Sequence, residues 1–356
     1  MRKLASIQKV LKIEPIENAD NIELATILGW HVVVKKGEFK AGDLAVYVET
    51  DSILPKNNPD FAFLEGKRLR TKKLRGVYSQ GIAFPLSILP GWCKQEGTDV
   101  TSELGITKWE PDEYNRNQQT KQKKPRKWYM RFAIGRWFWK KFLYRPDSGP
   151  FPAWIYKTDE TSIQVLQDIL DKYSGMQCEY TEKVDGSPIT VWYNHDEKKL
   201  HVCSCNKEIF DQDDRFFVTA MKYADKIKRL TPGMVLQGEL LGPGIQGNKY
   251  ELKECIILFY QASMGKEFLQ PSLFRSVMKD AGLDTVPYLG SVRLGTDIDY
   301  FIDLAKGTSV LNRQTRREGI VIRPERNVYE LNDNRFVGDR ISFKAINPEF
   351  LVKYDL

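Results

Sequence analysis

Four short clusters in the second half of the chain contain side chains that could carry out covalent phosphate chemistry. The first spans residues 182–187, where Lys183 follows an apolar, strand-like stretch and Asp185 precedes the turn residue Gly186. A lysine held at the end of a strand beside a carboxylate can act as a covalent nucleophile. The same pattern also occurs at solvated surface lysines, so this cluster alone does not define a site.

The other three clusters supply carboxylates and a second lysine. Glu239 closes a predicted strand that runs into a glycine-rich loop, and Glu318 opens a short apolar strand. Ser342 and Lys344 share one face of a further strand because side chains alternate along a strand. Carboxylates hold divalent metals through oxygen, and lysines neutralise phosphates. The ordered set therefore predicts a site for a nucleoside triphosphate and a metal.

With these clusters the chain resembles the covalent nucleotidyltransferase superfamily of ligases and capping enzymes. The clusters match the superfamily motifs in chain order: Lys183 to Gly186 match the first motif, Glu239 the third, Glu318-Gly319 the fourth and Lys344 the fifth. The closer resemblance is to ATP-dependent RNA ligases that carry an OB domain ahead of the nucleotidyltransferase domain. It rests largely on segments 157–160 and 242–248, and it covers roughly residues 1–106 and 150–356.

The resemblance implies a reaction in three steps. Lys183 attacks the α-phosphorus of ATP, giving lysyl-AMP and pyrophosphate; AMP moves to an RNA 5′-phosphate; a 3′-hydroxyl then displaces AMP. The implied metal is Mg²⁺ or Mn²⁺, held by Asp185, Glu239 and Glu318. The expected catalytic residues are Lys183, Asp185, Glu239, Glu318 and Lys344, and the expected nucleotide-binding residues are Thr181, Glu182, Lys183, Gly186, Tyr260, Glu318, Ser342 and Lys344.

A metal would also solve a problem of protonation at Lys183. A free lysine has a pKa of about 10.4, so making it half neutral near pH 7.4 requires a shift of about 3 units, or about 4 kcal/mol. A divalent cation about 5 Å away disfavours the ammonium form by roughly 6–7 kcal/mol at an effective dielectric constant of about 20. One metal is therefore sufficient to generate the neutral amine.

Some positions leave alternatives open or depart from the family pattern. Tyr260 resembles the family aromatic that stacks on adenine, but strand register decides between it and Phe259, and either could be a core residue. Related ligases often carry an arginine after a serine on the strand following the first motif, where this chain has Ser204-Cys205-Asn206. Where the superfamily often has two lysines in its fifth motif, Ser342 takes the first place. Arg323 is a candidate to replace the missing arginine as a contact to the ribose or phosphate.

The order of the motifs predicts where the smaller domain lies. Twelve residues follow Lys344 (356 − 344 = 12), too few for another domain, so we expect the OB module at the N-terminus. Residues 32–48 contain two apolar strands with glycine-marked turns, which is typical of a small barrel. We therefore expect an α+β protein. An OB-like domain over 1–106 is followed by a linker over 107–149 and a mixed antiparallel-sheet adenylyltransferase domain over 150–356.

Two basic segments are candidates for nucleic-acid contact. Arg68, Arg70 and Lys72 alternate, which predicts one basic face of a strand, either an RNA-binding surface or an ordinary solvated face. Residues 121–145 contain ten Lys and Arg and no acid, in a chain of net charge +7, and they interleave many aromatic residues. That segment could be a packed helix with a solvated basic face, an RNA contact, or a membrane-surface helix.

Composition gives coarser expectations about location and partners. Five cysteines without a framework spacing indicate a reducing compartment, and we find no signal-like or membrane-length apolar run, so we expect an intracellular protein without membrane contact. We expect a monomer acting on RNA, specifically a nicked duplex. An RNA-binding module on a degenerate scaffold, a DNA ligase and a capping-type enzyme remain the alternatives.

Overall fold

The computed structural model describes residues 3–89, 91, 95–109 and 147–356. The basic segment 121–145, and most of the linker expected over 107–149, lie outside the described residues. No helix in the described part of the chain is long and apolar enough to cross a membrane.

The N-terminal part is a curled antiparallel sheet in the order β3-β2-β1-β4-β8. The first part of β1 pairs with β4, the second part pairs with β2, and a bulge after Val10 lets the strand bend between them. The backbone of Val33 donates to Oγ of Ser79 at 3.0 Å, and Gln80 N donates to the carbonyl of His31, so the sheet curls back onto β3. The strands are β1 (Ala5–Pro15), β2 (Ile22–Ile27), β3 (Trp30–Lys35), β4 (Leu44–Val48), β5 (Ser52–Ile53), β6 (Lys72–Leu74), β7 (Val77–Ser79), β8 (Ile82–Pro85) and β9 (Thr107–Lys108).

The single strand expected over residues 68–72 does not form. Arg68 makes only an isolated bridge with Ile53, and Lys72 opens the short β6–β7 hairpin. Leu69 and Thr71, which lie between them, are buried. The alternation in the sequence therefore reflects alternating burial of side chains along a segment that is not a continuous strand.

The C-terminal part contains two sheets that face each other across a cleft. A seven-stranded antiparallel sheet has the order β10-β15-β14-β13-β16-β17-β18, and a five-stranded mixed sheet has the order β11-β21-β20-β12-β19. The strands are β10 (Ser148–Pro150), β11 (Thr161–Ser162), β12 (Gln177–Lys183), β13 (Ser187–Asn194), β14 (Lys199–Cys203), β15 (Lys207–Ile209), β16 (Met234–Leu241), β17 (Ile256–Met264), β18 (Glu267–Phe268), β19 (Tyr288–Arg293), β20 (Gly319–Pro324) and β21 (Phe343–Ile346).

In the described part of the chain, five helices pack on the outer faces of the two sheets and leave the inner faces for the cleft, whereas the sixth and last lies near Lys249 at the edge of the cleft. They are α1 (Gln167–Lys172), α2 (Arg215–Met221), α3 (Ala224–Ile227), α4 (Pro271–Ala281), α5 (Ile298–Ala305) and α6 (Pro348–Lys353). Phe274 and Met278 of α4 pack against the seven-stranded sheet, and Phe301 of α5 packs against the five-stranded sheet. Because alternate strand residues enter these cores, the remaining residues of β12, β16, β20 and β21 point into the cleft.

Candidate active site

Strand register brings the expected nucleophile beside one of the expected carboxylates. Lys183 is the last residue of β12 and lies opposite Gly319 of β20, so the preceding Glu318 is its neighbour. Nζ of Lys183 donates to Oε1 of Glu318 at 2.6 Å, and the Lys183 side chain is 25% exposed. The amine is thus held at the mouth of the cleft, as the sequence predicts for a strand-end lysine.

Glu239 reaches the same point from the other sheet because the loop after Lys183 packs closely on β16. A Cβ atom on Gly186 would lie 2.7 Å from the carbonyl oxygen of Leu240 and 3.2 Å from Cβ of Glu239. Glycine at this position therefore permits the close approach that places both carboxylates around Lys183. Gly186, which the sequence marks as a turn residue, is thus also required by the close packing on β16.

The cluster around Lys183 brings together more buried carboxylates than cations. Burial disfavours the Lys183 ammonium, but the charges of Glu318 and Glu239 outweigh burial and raise the pKa of Lys183. Burial raises the pKa of Glu239 to about 8, although Lys183 partly offsets this effect. Burial and the charge of Glu318 raise the pKa of Asp185 to about 6. A further cation at the cluster would favour the ionised forms of Asp185 and Glu239.

The donor atoms fit a divalent cation held partly through water. Oε2 of Glu239 and Oε2 of Glu318 are buried and have no hydrogen-bond partner among the described residues. Within the same residues, no three His, Cys, Asp or Glu side chains converge as a ready-made metal cage. Hard oxygen donors with open coordination suit a hydrated Mg²⁺, which keeps several of its waters.

Lys249 belongs to this site and was not predicted from the sequence. Its Nζ forms a hydrogen-bonded ion pair with Oδ2 of Asp185 and donates to the carbonyl of Gln246 at 3.0 Å. The ammonium also lies 5.6 Å from the ring centroid of Phe350 and 5.1 Å from that of Tyr354. The glycine-rich loop after Glu239 was a visible signal, but nothing in its pattern distinguishes Lys249 from a solvated lysine.

The cleft also resolves the register of the aromatic pair on β17. Phe259 is fully buried in the core behind the seven-stranded sheet. Tyr260 lies on the cleft side, and its hydroxyl is 2.6 Å from Oγ1 of Thr158. Oγ1 of Thr181, across the cleft on β12, is buried and lacks a partner among the described residues. Tyr260 and Thr181 therefore line a common recess, which also contacts Arg323.

Glu182 points away from this recess. Its carboxylate is buried on the opposite side of β12 and accepts a hydrogen bond from the backbone N–H of Val310 at 2.9 Å. The backbone N–H of Glu182 donates to the carbonyl of Pro287 at 2.8 Å. The carboxylate itself anchors the loop that precedes Glu318.

Lys344 on β21 and Ser342 just before that strand both face the cleft, as their spacing predicts. Nζ of Lys344 donates to Oδ1 of Asp159 at 3.1 Å near the mouth. Ser342 accepts from Nε of Arg323 at 2.9 Å, and Arg323 also donates to Oε1 of Glu160 at 2.7 Å and to the carbonyl of Tyr260. Arg323 therefore ties together segments that flank neighbouring strands of the five-stranded sheet, and its bond to the carbonyl of Tyr260 crosses to the seven-stranded sheet.

The three basic residues expected to contact nucleic acid lie in different surroundings. Arg68 is nearly buried, with its guanidinium 2.5 Å from Oδ1 of Asp51. Arg70 forms an ion pair with Asp355, which follows helix α6 of the C-terminal domain. Lys72 is 64% exposed and lies 3.9 Å from the same carboxylate. The three residues therefore do not share one basic face, and the side chain of Lys72 is the most exposed of the three.

Comparison with known proteins identifies the relatives of this architecture. An OB-fold domain model matches residues 4–86, and an RNA ligase model matches residues 176–346. The solved structure of Naegleria gruberi RNA ligase with PPi is 31% identical, with a TM-score of 0.80, over 100% of this chain and 99% of that chain. This chain belongs to the RNA ligase family. A lysine-to-alanine variant of the same Naegleria ligase, with ATP and Mn, is 30% identical with a TM-score of 0.79 over 98% of both chains.

The expected RNA ligase fold is confirmed by these matches. The OB-fold match lies ahead of the RNA ligase match, in the order inferred from the motifs. A third Naegleria gruberi RNA ligase structure, a glutamate-to-alanine variant with AMP and Mn, is 31% identical with a TM-score of 0.79 over 98% of both chains. Among curated proteins, none matches this ligase significantly.

Proposed function

We propose that this RNA ligase works through a lysyl-AMP intermediate formed from ATP at Lys183. The observation that supports this most directly is the 2.6 Å contact between Nζ of Lys183 and Oε1 of Glu318, beside the unpartnered Oε2 of Glu239. An amine in such a setting is held for attack once it loses its proton. Among the Naegleria structures, one with ATP and Mn contains the nucleotide that such a step consumes, and one with PPi contains the product that it releases. A third, with AMP and Mn, contains the group that would be transferred.

In the first step, Nζ of Lys183 loses a proton and attacks the α-phosphorus of ATP. A P–N bond forms, the bond from the α-phosphorus to the bridging oxygen breaks, and pyrophosphate leaves. Glu318 accepts the hydrogen bond from Nζ, so its Oε1 orients the amine and is placed to receive the proton. A divalent cation bound by Asp185, Glu239 and Glu318 would supply positive charge that favours the neutral amine.

The recess behind Lys183 is proposed to hold the adenosine part of ATP. Tyr260 would stack on the base, with Thr181 and the backbone of Glu182 at its edge. Lys344 and Gly186 border the mouth, where the phosphates would lie. Ser342 is proposed to act indirectly, by accepting the hydrogen bond that fixes Arg323.

The later steps are proposed to act on a 5′-phosphate and a 3′-hydroxyl held together in a nicked RNA duplex. AMP passes from Lys183 to the 5′-phosphate, and the 3′-hydroxyl then attacks that phosphorus and releases AMP. We assign residues 1–106 to RNA binding, 107–149 to the connection and 150–356 to adenylyl transfer, in a monomer. Intracellular residence is proposed because the four described cysteines, Cys178, Cys203, Cys205 and Cys255, are all free thiols.

Radiolabelled nucleotide tests the central step. After denaturing electrophoresis, label from α-labelled ATP should remain on the protein in the presence of metal, whereas label from γ-labelled ATP should not. Absence of retained label would favour a binding module on a degenerate scaffold, and preferential labelling by GTP would favour capping chemistry. Comparison of RNA and DNA nicks then separates an RNA ligase from a DNA ligase.

A further inference from the structure

We propose that the RNA substrate lies across a basic rim that both domains build beside the active site. The rim consists of Lys72, Lys73 and Arg75 on the β6–β7 hairpin together with Arg313 and Arg316 on the loop 306–317. The inference rests on the proposed function and specifies the surface that positions the strand ends.

The hairpin contributes charge that the N-terminal fold does not use. Residues 67–75 contain six Lys and Arg and no acid. Arg68 and Arg70 are engaged in ion pairs, but every residue of β6 is exposed, as is Arg75 in the turn. A two-stranded ladder whose first strand buries nothing gains little from packing. Its basic side chains are therefore available to a ligand.

The base of the hairpin is fixed against the C-terminal domain. Arg70 forms its ion pair with Asp355, just beyond the end of α6, and Lys72 lies 3.9 Å from the same residue. At the start of α6, the backbone N–H of Asn347 donates to the carbonyl of Glu318 at 2.8 Å. A helix of this length spans about 9 Å, at about 1.5 Å per residue. The hairpin thus stands close to the carboxylate that contacts Lys183.

The loop 306–317 supplies the second half of the rim. It contains four Lys and Arg and no acid, and it leads directly into Glu318. Arg317 turns inward and donates to backbone carbonyls, whereas Arg313 and Arg316 are exposed. Oγ1 of Thr315 donates to the carbonyl of Lys249 at 2.7 Å, which anchors the loop to the active site.

The two halves approach each other. The pKa of Lys306 is raised chiefly by its hydrogen bond to Asp303, with smaller contributions from Tyr78 of the hairpin and from Glu349. Nη1 of Arg316 lies 3.2 Å from Oε2 of Glu349, on α6. Hairpin, helix and loop are therefore neighbours along one edge of the active site.

A polynucleotide is the partner that fits this surface. ATP presents phosphates only at one point, whereas the rim extends over two domains and offers several separate cations. A row of phosphates neutralised by Lys and Arg releases counterions, which gives affinity without reading sequence. The same contacts would hold the strand end close to the adenylylated lysine.

The test combines Lys73→Gln, Arg75→Gln and Arg313→Gln in one protein. Among the described residues these three side chains form no ion pair, and Lys73 lies 5.2 Å from the ring centroid of Tyr78 within the hairpin. All three are exposed, so the triple variant should fold normally. The matched control removes three other exposed charges, with Lys36→Gln, Lys40→Gln and Lys279→Gln. Each protein is assayed for labelling by α-labelled ATP, for binding of a fluorescent nicked RNA duplex by anisotropy over a salt series, and for sealing.

We expect the rim variant to take label at the wild-type rate and to bind RNA at least tenfold more weakly. The plot of log affinity against log salt should become shallower by about 2–3, since each phosphate contact contributes about 0.7–0.9. Sealing should be slow at low RNA concentration and recover at saturation. Equal affinity and slope for the rim and control variants would overturn the proposal. If the wild-type protein bound RNA through the rim but took no label, the ligase reaction would fail while the surface assignment stood.

Discussion

At the scale of single residues, the active site holds Lys183 with its positive charge stabilised by neighbouring carboxylates. The charges of Glu318 and Glu239 raise the pKa of Lys183 despite burial, so the amine is protonated near neutral pH. The chemistry requires the opposite state. The phosphates of ATP add further negative charge, so a divalent cation held by the carboxylates would have to supply the positive charge that disfavours the ammonium.

The first prediction concerns the nucleophile. Lys183→Arg keeps a cation beside Glu318 but cannot form lysyl-AMP at neutral pH, because a guanidinium stays protonated. We expect complete loss of label from α-labelled ATP, measured after denaturing electrophoresis, with an unchanged circular dichroism spectrum. Lys207→Arg, outside the cluster, should label normally. Labelling of the Lys183 variant at the wild-type rate would assign the nucleophile elsewhere.

The second prediction concerns the charge on Glu239. Glu239→Gln keeps the shape of the side chain but removes a carboxylate whose Oε2 is buried and unpartnered. We expect adenylylation to slow by about a hundredfold or more, since metal charge stabilisation is worth several kcal/mol. Rates measured over a metal titration should be partly restored at high Mg²⁺ or Mn²⁺. Wild-type rates at limiting metal would show that Glu239 is structural.

At the scale of elements, buried polar contacts at the back of the cleft join neighbouring strands of the five-stranded sheet and also link that sheet to the seven-stranded one. Arg323 on β20 reaches Glu160, Ser342 and the carbonyl of Tyr260. Arg340 donates to Oε1 of Gln261 at 2.5 Å on the opposite sheet. These contacts occupy the back of the cleft and set the spacing into which the base would fit.

The third prediction is that Glu160 stabilises the fold in a pH-dependent way. Burial alone would raise the pKa of Glu160, but the charges of Arg323 and Arg340 lower it below its usual range. Its contribution is therefore present above the unfolded-state pKa of about 4.3 and is lost as pH falls through the lower folded-state pKa. Glu160→Gln leaves buried guanidiniums without their counter-charge and should cost about 3–5 kcal/mol near pH 7.

Urea unfolding at pH 7 and at pH 3 measures this effect. The difference in the free energy of unfolding between wild type and Glu160→Gln should shrink at the lower pH. Glu17→Gln, at an exposed position, should change stability by less than about 0.5 kcal/mol. A difference that is the same at both pH values would mean that the charge of Glu160 does not stabilise the fold.

At the scale of the whole molecule, the N-terminal domain is docked close against the C-terminal domain. The backbone N–H of Gly29 donates to the carbonyl of Gln164 at 2.7 Å. A Cβ atom on Gly29 would lie 2.8 Å from Cα of Gln164, so a side chain cannot be accommodated without movement. Together with the ion pair between Arg70 and Asp355, this contact holds the proposed RNA-binding rim in place.

The fourth prediction follows from this docking. Gly29→Ala should cost about 1–3 kcal/mol of interdomain packing. Labelling by ATP should stay near the wild-type rate, because the expected ATP-binding residues all lie beyond residue 150, whereas sealing of nicked RNA at low concentration should fall by about tenfold. Gly295→Ala is the control, since no atom lies within 4 Å of the added Cβ. Unchanged sealing by the Gly29 variant would show that close docking of the N-terminal domain is not needed to align the RNA.

The sequence by itself predicted the catalytic residues and determined the order of the OB-fold and RNA ligase domains. Lys183, Asp185, Glu239, Glu318 and Lys344 are recognisable because each lies at a strand end or on a strand face that local patterning defines. The same patterning predicts β12 and β13 around the first motif, and both strands form. Local propensity and alternation are short-range properties, and for this reason they can be read from neighbouring residues alone.

Only the tertiary structure decided which side chains complete the site and which are committed elsewhere. Lys249 meets Asp185 from 64 positions along the chain, and Arg70 meets Asp355 from 285 positions away. Register between β16 and β17, which contains a bulge, sends Phe259 into the core and leaves Tyr260 in the cleft. These outcomes depend on how distant segments pack, because a charged or aromatic residue acquires its role from the partners that folding brings to it.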